Sequence, residues 1–303
     1  MNKKGELTTQ QIVMLIILIA SFAVILFFIF RLGLGEEQER EVCHNSVLMK
    51  GNALIPDEAA PLNCKKQYVC ISADKTCEGM TDPVLKKVKT KNETFEALAE
   101  EMADCWWMFG EGNVNYAGKE IRPQLHCALC SQIYFDNSMS KIFAEGKFSE
   151  EELYDYLAIE EYGSSKESYS MYMYGSNEIK QLAQNFNLDF RDIRMEEYYY
   201  VLTGMTSVFG GKEVDAIGGG IGLIVGTALT YATGGTGGVA LKLVKGVLSK
   251  KAFVGGVVGS TGAHFIAPIF KNRFGTETIR SSLIEVNSDE FKNLNCKELA
   301  TYA

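Results

Sequence analysis

Near its start the chain carries a long apolar run, which is the feature that most limits how it can fold. Residues 12–30 are 19 consecutive positions without charge, and Ser21 is the one polar side chain among them. A helix of this length is ~28 Å long, close to the ~30 Å hydrocarbon layer of a bilayer. A cleaved signal peptide fits less well, because the run exceeds a usual apolar core and no small-x-small site follows. The sequence therefore predicts an uncleaved transmembrane helix within residues 1–35.

Basic residues predict the orientation of this helix. Lys3 and Lys4 lie on the short tail that precedes it, while Glu36, Glu37 and Glu39 follow it. Because basic tails stay in the cytoplasm, we expect a cytoplasmic N-terminus in the cell membrane and an extracytoplasmic main domain over residues 36–209.

Two short stretches carry a resemblance. Lys3-Lys4-Gly5-Glu6 before the apolar run resembles a type IV pilin leader, although Gln10 stands where pilins carry glutamate. The same opening, together with Cys43-His44-Asn45-Ser46-Val47, is similar to membrane-anchored, cysteine-containing archaeal proteins of unknown function from small genomes. This resemblance implies a compartment and no activity.

The cysteines agree with an exterior location. An even number of cysteines outside the apolar segments is typical of disulfide bonds formed in an oxidising compartment. Eight cysteines allow 105 pairings, so the sequence leaves the connectivity open. The disulfide candidates are Cys43, Cys64, Cys70, Cys77, Cys105, Cys127, Cys130 and Cys296.

Cys127 and Cys130 form a Cys-x-x-Cys motif that admits sharper alternatives. A zinc site needs two more ligands at matched spacing, and the sequence has no second Cys-x-x-Cys motif. Cys43-His44 could in principle supply the missing ligands, but we expect no metal. A thiol-disulfide oxidoreductase needs a cysteine of low pKa at a helix start, and Pro123 is placed to begin such a helix. A structural disulfide is the favoured interpretation. Since no other catalytic set is present, the sequence predicts neither enzyme activity nor a cofactor.

Charge narrows the possible partners. The chain carries 30 basic and 38 acidic residues, and residues 36–215 alone have a net charge of −14. Nucleic-acid binding needs a basic footprint, so we expect none. The acidic surface indicates a solvated face, with cation binding or partner steering as the alternatives.

Local patterns predict several elements of the exterior domain. Capping boxes at Thr90 and Ser149 predict helices that end near Gly110 and near Gly163. A third helix is predicted over residues 124–135 after Pro123, and a hairpin or small sheet over 168–209. Asn92-Glu93-Thr94 is a candidate glycosylation site at Asn92.

The glycine-rich segment, residues 210–275, is the second unusual feature. Residues 216–241 and 252–270 lack charge and are separated by four lysines. This pattern predicts a helical hairpin of two membrane segments with a cytoplasmic turn. Glycines four residues apart permit close helix packing. These glycines are Gly218, Gly222, Gly226, Gly255 and Gly259. A buried hairpin and one inserted on a trigger are the alternatives.

Together these patterns predict a membrane protein with an N-terminal transmembrane helix, an α-rich α+β disulfide-stabilised exterior domain and a Gly-rich helical hairpin. Residues 276–303 form a C-terminal tail that contains Cys296. The predicted function is interaction, adhesion or envelope assembly at the cell surface, through a homo-oligomer or a surface protein partner and with the lipid membrane as the other partner. The alternatives are a pore-forming subunit that uses residues 216–270, a pilin-like filament subunit and a thiol-disulfide oxidoreductase.

Overall fold

The computed structural model describes most of the chain outside the glycine-rich segment. The described residues are 9–31, 34–51, 61–120, 125–181, 190–206, 208–209, 241–244, 253–258, 264–271, 277–294 and 296–299. They divide into two compact units, Met1–Glu41 and Val42–Ala303.

The first unit contains helix α1 (Thr9–Arg31) and the start of α2 (Leu34–Lys50). The side chains of residues 10–27 are all exposed in the chain alone. Within the described residues, α1 is the one helix long and apolar enough to cross a membrane. The predicted N-terminal helix is thus present, and it has the composition of a membrane span.

The second unit contains the remaining helices and all strands that the structure describes. Four helices follow α2, and they are α3 (Lys91–Met108), α4 (Glu150–Ile159), α5 (Tyr169–Tyr174) and α6 (Asp289–Leu294). The strands before the glycine-rich segment are β1 (Gln67–Ser72), β2 (Val84–Lys87), β3 (Lys119–Glu120), β4 (Leu125–Phe135), β5 (Lys147–Ser149), β6 (Asp192–Arg194), β7 (Tyr198–Thr206) and β8 (Val208–Phe209). The later strands are β9 (Leu241–Val244), β10 (Phe253–Val258), β11 (His264–Lys271), β12 (Glu277–Glu285) and β13 (Lys297–Glu298).

A nine-stranded mixed sheet organises this unit. Its strand order is β2-β1-β4-β7-β12-β11-β10-β9, and β13 pairs with the first residues of β4. Strands β2, β1 and β4 are parallel, whereas the pairs from β4 onward along this order are antiparallel. Helix α3 lies in the connection from β2 to β4, as parallel strands require a crossover. The α+β class is therefore confirmed, and the sheet is larger than the predicted α-rich composition implied.

The sheet has two faces with different cores. The inner face packs against α3, α4 and α5, and its main cluster includes Ile71, Leu98, Trp106, Ile133 and Val201. The outer face carries a smaller cluster beneath α6. This outer cluster consists of Leu125, Cys127, Leu129, Leu202, Ile279, Ile284 and Leu294. Strand β4 is buried on both faces, as expected for a central strand.

The predicted helix caps are confirmed. The Thr90 hydroxyl accepts a hydrogen bond from the Glu93 backbone at 3.1 Å, and the Glu93 carboxylate accepts one from the Lys89 backbone at 2.7 Å. Ser149 caps α4 by accepting from the Glu151 backbone. The helices end at Met108 and Ile159, slightly earlier than predicted.

Two other predictions were wrong, the second only in part. The predicted helix over 124–135 is strand β4 in its described residues, because an uncharged run of this length fits a doubly buried strand as well as a helix. The predicted hairpin or small sheet over 168–209 does contain strands β6, β7 and β8, but its start is helix α5. Its signals are caps: the Ser168 hydroxyl accepts from the Met171 backbone, and Gly175 ends the helix at φ +69°.

The glycine-rich segment differs from the predicted helical hairpin wherever it is described. Residues 241–244, 253–258 and 264–271 are strands β9, β10 and β11 of the large sheet. Gly255 lies in β10 between Leu243 of β9 and Ala267 of β11, so it belongs to a strand and not to a helix interface. Short runs rich in Val and Ile, separated by Gly, Ser and Thr, favour strands because β-branched side chains pack well on a pleated sheet. Gly218, Gly222, Gly226 and Gly259 lie outside the described residues, and their predicted packing role stays a prediction.

Candidate functional site: a disulfide framework beside an exposed tyrosine face

All eight cysteines are paired, and no free thiol is left. Cys43 of α2 bonds Cys64, and Cys70 of β1 bonds Cys77 in the following loop. Cys105 of α3 bonds Cys130 of β4, and Cys127 of β4 bonds Cys296 ahead of β13. The predicted disulfide bonding is supported, and the structure supplies the connectivity that the sequence left open.

The Cys-x-x-Cys motif is divided between two bridges. Cys127 belongs to the outer cluster, and Cys130 belongs to the inner cluster, beside a β-bulge between Leu129 and Ser131. On a helix, residues three apart share a face, whereas on a strand they point to opposite faces. The two sulfurs therefore bond different partners and do not form the local pair that a dithiol active site uses. Activity on thiols stays a prediction.

Cys43-His44, the other candidate for metal ligation, also has structural partners. The His44 ring stacks on Trp107 with ring centroids 4.1 Å apart, and its Nδ1 lies 2.7 Å from the Trp107 carbonyl oxygen. Among the residues that the structure describes, no cluster of three or more His, Cys, Asp or Glu side chains is arranged to hold a metal ion.

The candidate glycosylation site lies at the start of α3. Asn92 is exposed, but Thr94 is fully buried, and its hydroxyl donates to the Thr90 carbonyl at 3.0 Å. The threonine of the Asn-Glu-Thr sequon is thus part of the folded helix start.

The outer face of the sheet carries a cluster of tyrosines that begins beside α6. Tyr68, Gln132 and Tyr200 are register partners across β1, β4 and β7, and Tyr134 and Tyr198 are partners in the next row of that face. Tyr68 is 41% exposed, and the other four are half-buried. We call these five residues the tyrosine face. Partly exposed tyrosines are characteristic of binding surfaces, since each combines an apolar ring with a polar hydroxyl.

A lysine ammonium lies over two rings of the tyrosine face. Lys66 Nζ is 5.4 Å from the centroid of Tyr68 and 5.3 Å from that of Tyr200. Both distances fall within the ≈ 6 Å range of a cation–π contact. Phe291 of α6 also packs on Tyr200, with ring centroids 5.2 Å apart.

The row formed by Tyr134 and Tyr198 contacts the residues that follow the Cys70–Cys77 disulfide. The ring of Tyr134 stacks on Tyr198 with centroids 4.9 Å apart and lies against Gly79, where a Cβ atom would overlap the ring. The Tyr198 hydroxyl donates to the Gly79 carbonyl at 2.7 Å. The residues that follow the Cys70–Cys77 disulfide thus contact both rings.

A polar network holds the Cys70–Cys77 loop to the end of β4. The Thr76 hydroxyl lies 2.6 Å from Asp74 and 3.2 Å from Asp136, and Lys141 pairs with Asp74 at 2.8 Å. Burial raises the pKa of Asp136, but hydrogen bonds from Ser138 and Thr76 outweigh it and keep the pKa below its ordinary value of 3.8. Both carboxylates are therefore charged at neutral pH and engaged within the loop.

Negative charge surrounds the hydroxyl of Tyr134. Its pKa is raised first by desolvation and then by neighbouring groups, among which are the carboxylates of Asp136, Glu78 and Glu196. Glu78 and Glu196 are exposed. Acidic side chains thus border the tyrosine face at Tyr134.

The buried charges elsewhere are structural. Arg280 lies 4.2 Å over the Trp106 ring and donates to the Met173 carbonyl at 2.6 Å, and burial lowers its pKa to about 10. Glu150 pairs with Arg191 at 3.5 Å beneath α4. These groups tie α3, α4 and α5 to the sheet.

Comparison with known proteins gives no relative to this fold and site. No protein-family model matches the chain, and neither the curated proteins nor the solved structures contain a significant match.

Sequence reasoning missed the tyrosine face. Tyr198-Tyr199-Tyr200 was predicted as strand, and its alternation already places Tyr198 and Tyr200 on one face. The partners Gln132 and Tyr134 lie in the segment that was predicted as helix, so the shared surface had no sequence signal.

Proposed function

We propose that this chain is a membrane-anchored protein whose disulfide-bonded unit lies outside the cell and binds other molecules at the cell surface. The observation that carries the proposal is the pairing of all eight cysteines, every one of which follows the apolar helix α1. Four disulfide bonds persist in an oxidising compartment and are rare in a reducing cytosol.

The tyrosine face supports a binding role over a catalytic one. It offers four partly exposed rings on one face of a sheet, with the acidic Glu78 and Glu196 near Tyr134, which suits contact with a partner. These side chains therefore support a binding function better than a catalytic one.

Labelling with a membrane-impermeant maleimide in intact cells tests the orientation. The native cysteines are unreactive as disulfides, so a single introduced thiol reports its own side. We expect Ser164→Cys, in an exposed turn after α4, to react in intact cells, and Asn2→Cys to react only after permeabilisation. Labelling of Asn2→Cys alone in intact cells would overturn the proposed orientation.

A further inference from the structure

We infer that the tyrosine face binds a basic, extended polypeptide segment of another protein, with lysine or arginine side chains placed over the tyrosine rings. The inference rests on the proposed function and names its partner class. Within the described residues, Lys66 lies over the rings of Tyr68 and Tyr200, Phe291 packs on Tyr200, and Gly79 contacts Tyr134 and Tyr198, while Tyr68 keeps 41% of its surface exposed.

The protein already places a cation on this surface. The ammonium of Lys66 is nearly equidistant from two tyrosine rings, 5.4 and 5.3 Å from their centroids. The negative π faces of those rings are thus turned to a position that an ammonium group can occupy. A basic side chain from a partner fits the same chemistry, either beside Lys66 or in its place.

The negative charge of the second unit complements a basic partner. Glu78 and Glu196 are exposed near Tyr134, and the second unit, residues 42–303, carries 33 acidic and 26 basic residues, a net charge of −7. This charge attracts a basic partner and repels both nucleic acid and a second copy of the same unit. A basic polypeptide is therefore favoured over the other macromolecules that use aromatic surfaces.

The spacing of the two rows of the tyrosine face matches the side-chain spacing of an extended peptide. The two rows of the tyrosine face, Tyr68-Gln132-Tyr200 and Tyr134-Tyr198, are two residues apart along each strand. Residues two apart on a strand are separated by ~6.6 Å, and alternate side chains of any extended peptide have this same spacing. An extended segment with basic residues at alternate positions therefore places one on each row.

The test measures binding of a fluorescent peptide to the full chain in uncharged detergent micelles. The probe is a peptide of about eight residues that alternates lysine with serine, long enough to cross both rows. Its matched controls alternate glutamate with serine or contain serine alone. We expect saturable binding of the lysine peptide alone, weaker at high salt because exposed charges are screened.

Variants of the rings separate cation–π contact from general apolar contact. Tyr68→Leu with Tyr200→Leu keeps apolar strand residues but removes the π faces, and we expect the affinity to fall about fivefold or more. Tyr162→Leu, which changes a half-buried tyrosine that stacks on Tyr172 away from this face, is the matched control and leaves affinity unchanged.

Variants of charge separate local recognition from overall attraction. Glu78→Gln with Glu196→Gln weakens binding, whereas Glu145→Gln with Glu178→Gln, an equal change in net charge at exposed sites elsewhere, does not. Lys66→Gln frees the two rings and removes a repelling charge, so we expect tighter binding. Circular dichroism of each variant verifies its folding.

Three results would overturn the inference: equal binding of the serine peptide, unchanged affinity in the folded Tyr68→Leu/Tyr200→Leu variant, or weaker binding by Lys66→Gln. Because binding in micelles does not depend on orientation in a cell, these results leave the labelling test of the proposed function unaffected.

Discussion

Cys127 and Cys130, three residues apart on strand β4, are bonded on opposite sides of the sheet, to Cys296 and Cys105. The strand geometry converts what reads as a local motif into two long-range crosslinks. One joins the sheet to α3, and the other joins it to the C-terminal residues.

The disulfides differ in the length of chain that each one closes, and this predicts an order of stability effects. The Cys127–Cys296 pair is separated by 169 residues and the Cys70–Cys77 pair by 7. Chain-entropy arguments give about 5 kcal/mol for the first and about 2 kcal/mol for the second. We expect Cys127→Ala/Cys296→Ala to lower the free energy of unfolding more than Cys70→Ala/Cys77→Ala does. Denaturant titration of the second unit's fluorescence measures both, and the reverse order would contradict the assigned pairs.

The buried pair of Glu150 and Arg191 predicts a pronounced asymmetry between variants. Glu150 is 2% exposed, and burial raises its pKa although Arg191 opposes the shift. Removing one charge leaves the other buried, so Arg191→Met alone costs about 3–5 kcal/mol. The double variant Glu150→Gln/Arg191→Met removes both charges, and we expect it to recover most of that loss in a denaturant titration. A double variant as unstable as the single one would indicate that the pair acts through packing.

Asp136 predicts a stability change at acid pH. Its pKa lies below the ordinary 3.8 in the folded protein, so its carboxylate stabilises the fold at neutral pH. This contribution is present above pH 3.8 and is lost as the pH falls through the lower folded pKa. Asp136→Asn keeps a side-chain oxygen for the Ser138 backbone but has no charge. We expect the thermal unfolding midpoints of wild type and Asp136→Asn to differ at pH 7 and to converge as the pH falls below 3.8 and through the lower folded pKa. A constant difference across this range would assign the effect to shape and not to charge.

The buried sequon threonine predicts that glycosylation of Asn92 requires an unfolded acceptor. The Thr94 hydroxyl is 0% exposed and donates to Thr90, so a transferase cannot reach it in folded α3. We expect an N-glycosylating enzyme in vitro to modify the reduced, denatured chain and not the native chain, as measured by intact mass. Modification of the native protein at equal rate would show that the start of α3 opens readily.

The parts of the fold that follow from the sequence are those with local causes. Thr90 and Ser149 predict the starts of α3 and α4, because their side chains accept hydrogen bonds from backbone N–H groups in the first turn. Residues 10–27 announce α1 because composition alone defines a membrane-length apolar helix. The even number of cysteines predicts disulfide bonds, and this prediction also needs composition alone.

The parts that did not follow depend on contacts between distant residues. β4 is buried because β1, β7 and α3 surround it, and its own sequence has no periodicity that separates strand from helix. The tyrosine face joins Tyr68, Tyr134 and Tyr200 through strand register, which no local pattern encodes. Ser168 and Gly175 did carry cap signals for α5, and the alternation of Tyr and Met between them obscured those signals.

Peptide mapping of the native protein under non-reducing conditions, after alkylation of any free thiols, tests the central claim most directly. A disulfide-bonded unit outside the cell predicts no alkylated cysteine and four linked pairs, Cys43–Cys64, Cys70–Cys77, Cys105–Cys130 and Cys127–Cys296. Alkylated cysteines throughout the unit, or a bond between Cys127 and Cys130, would contradict it.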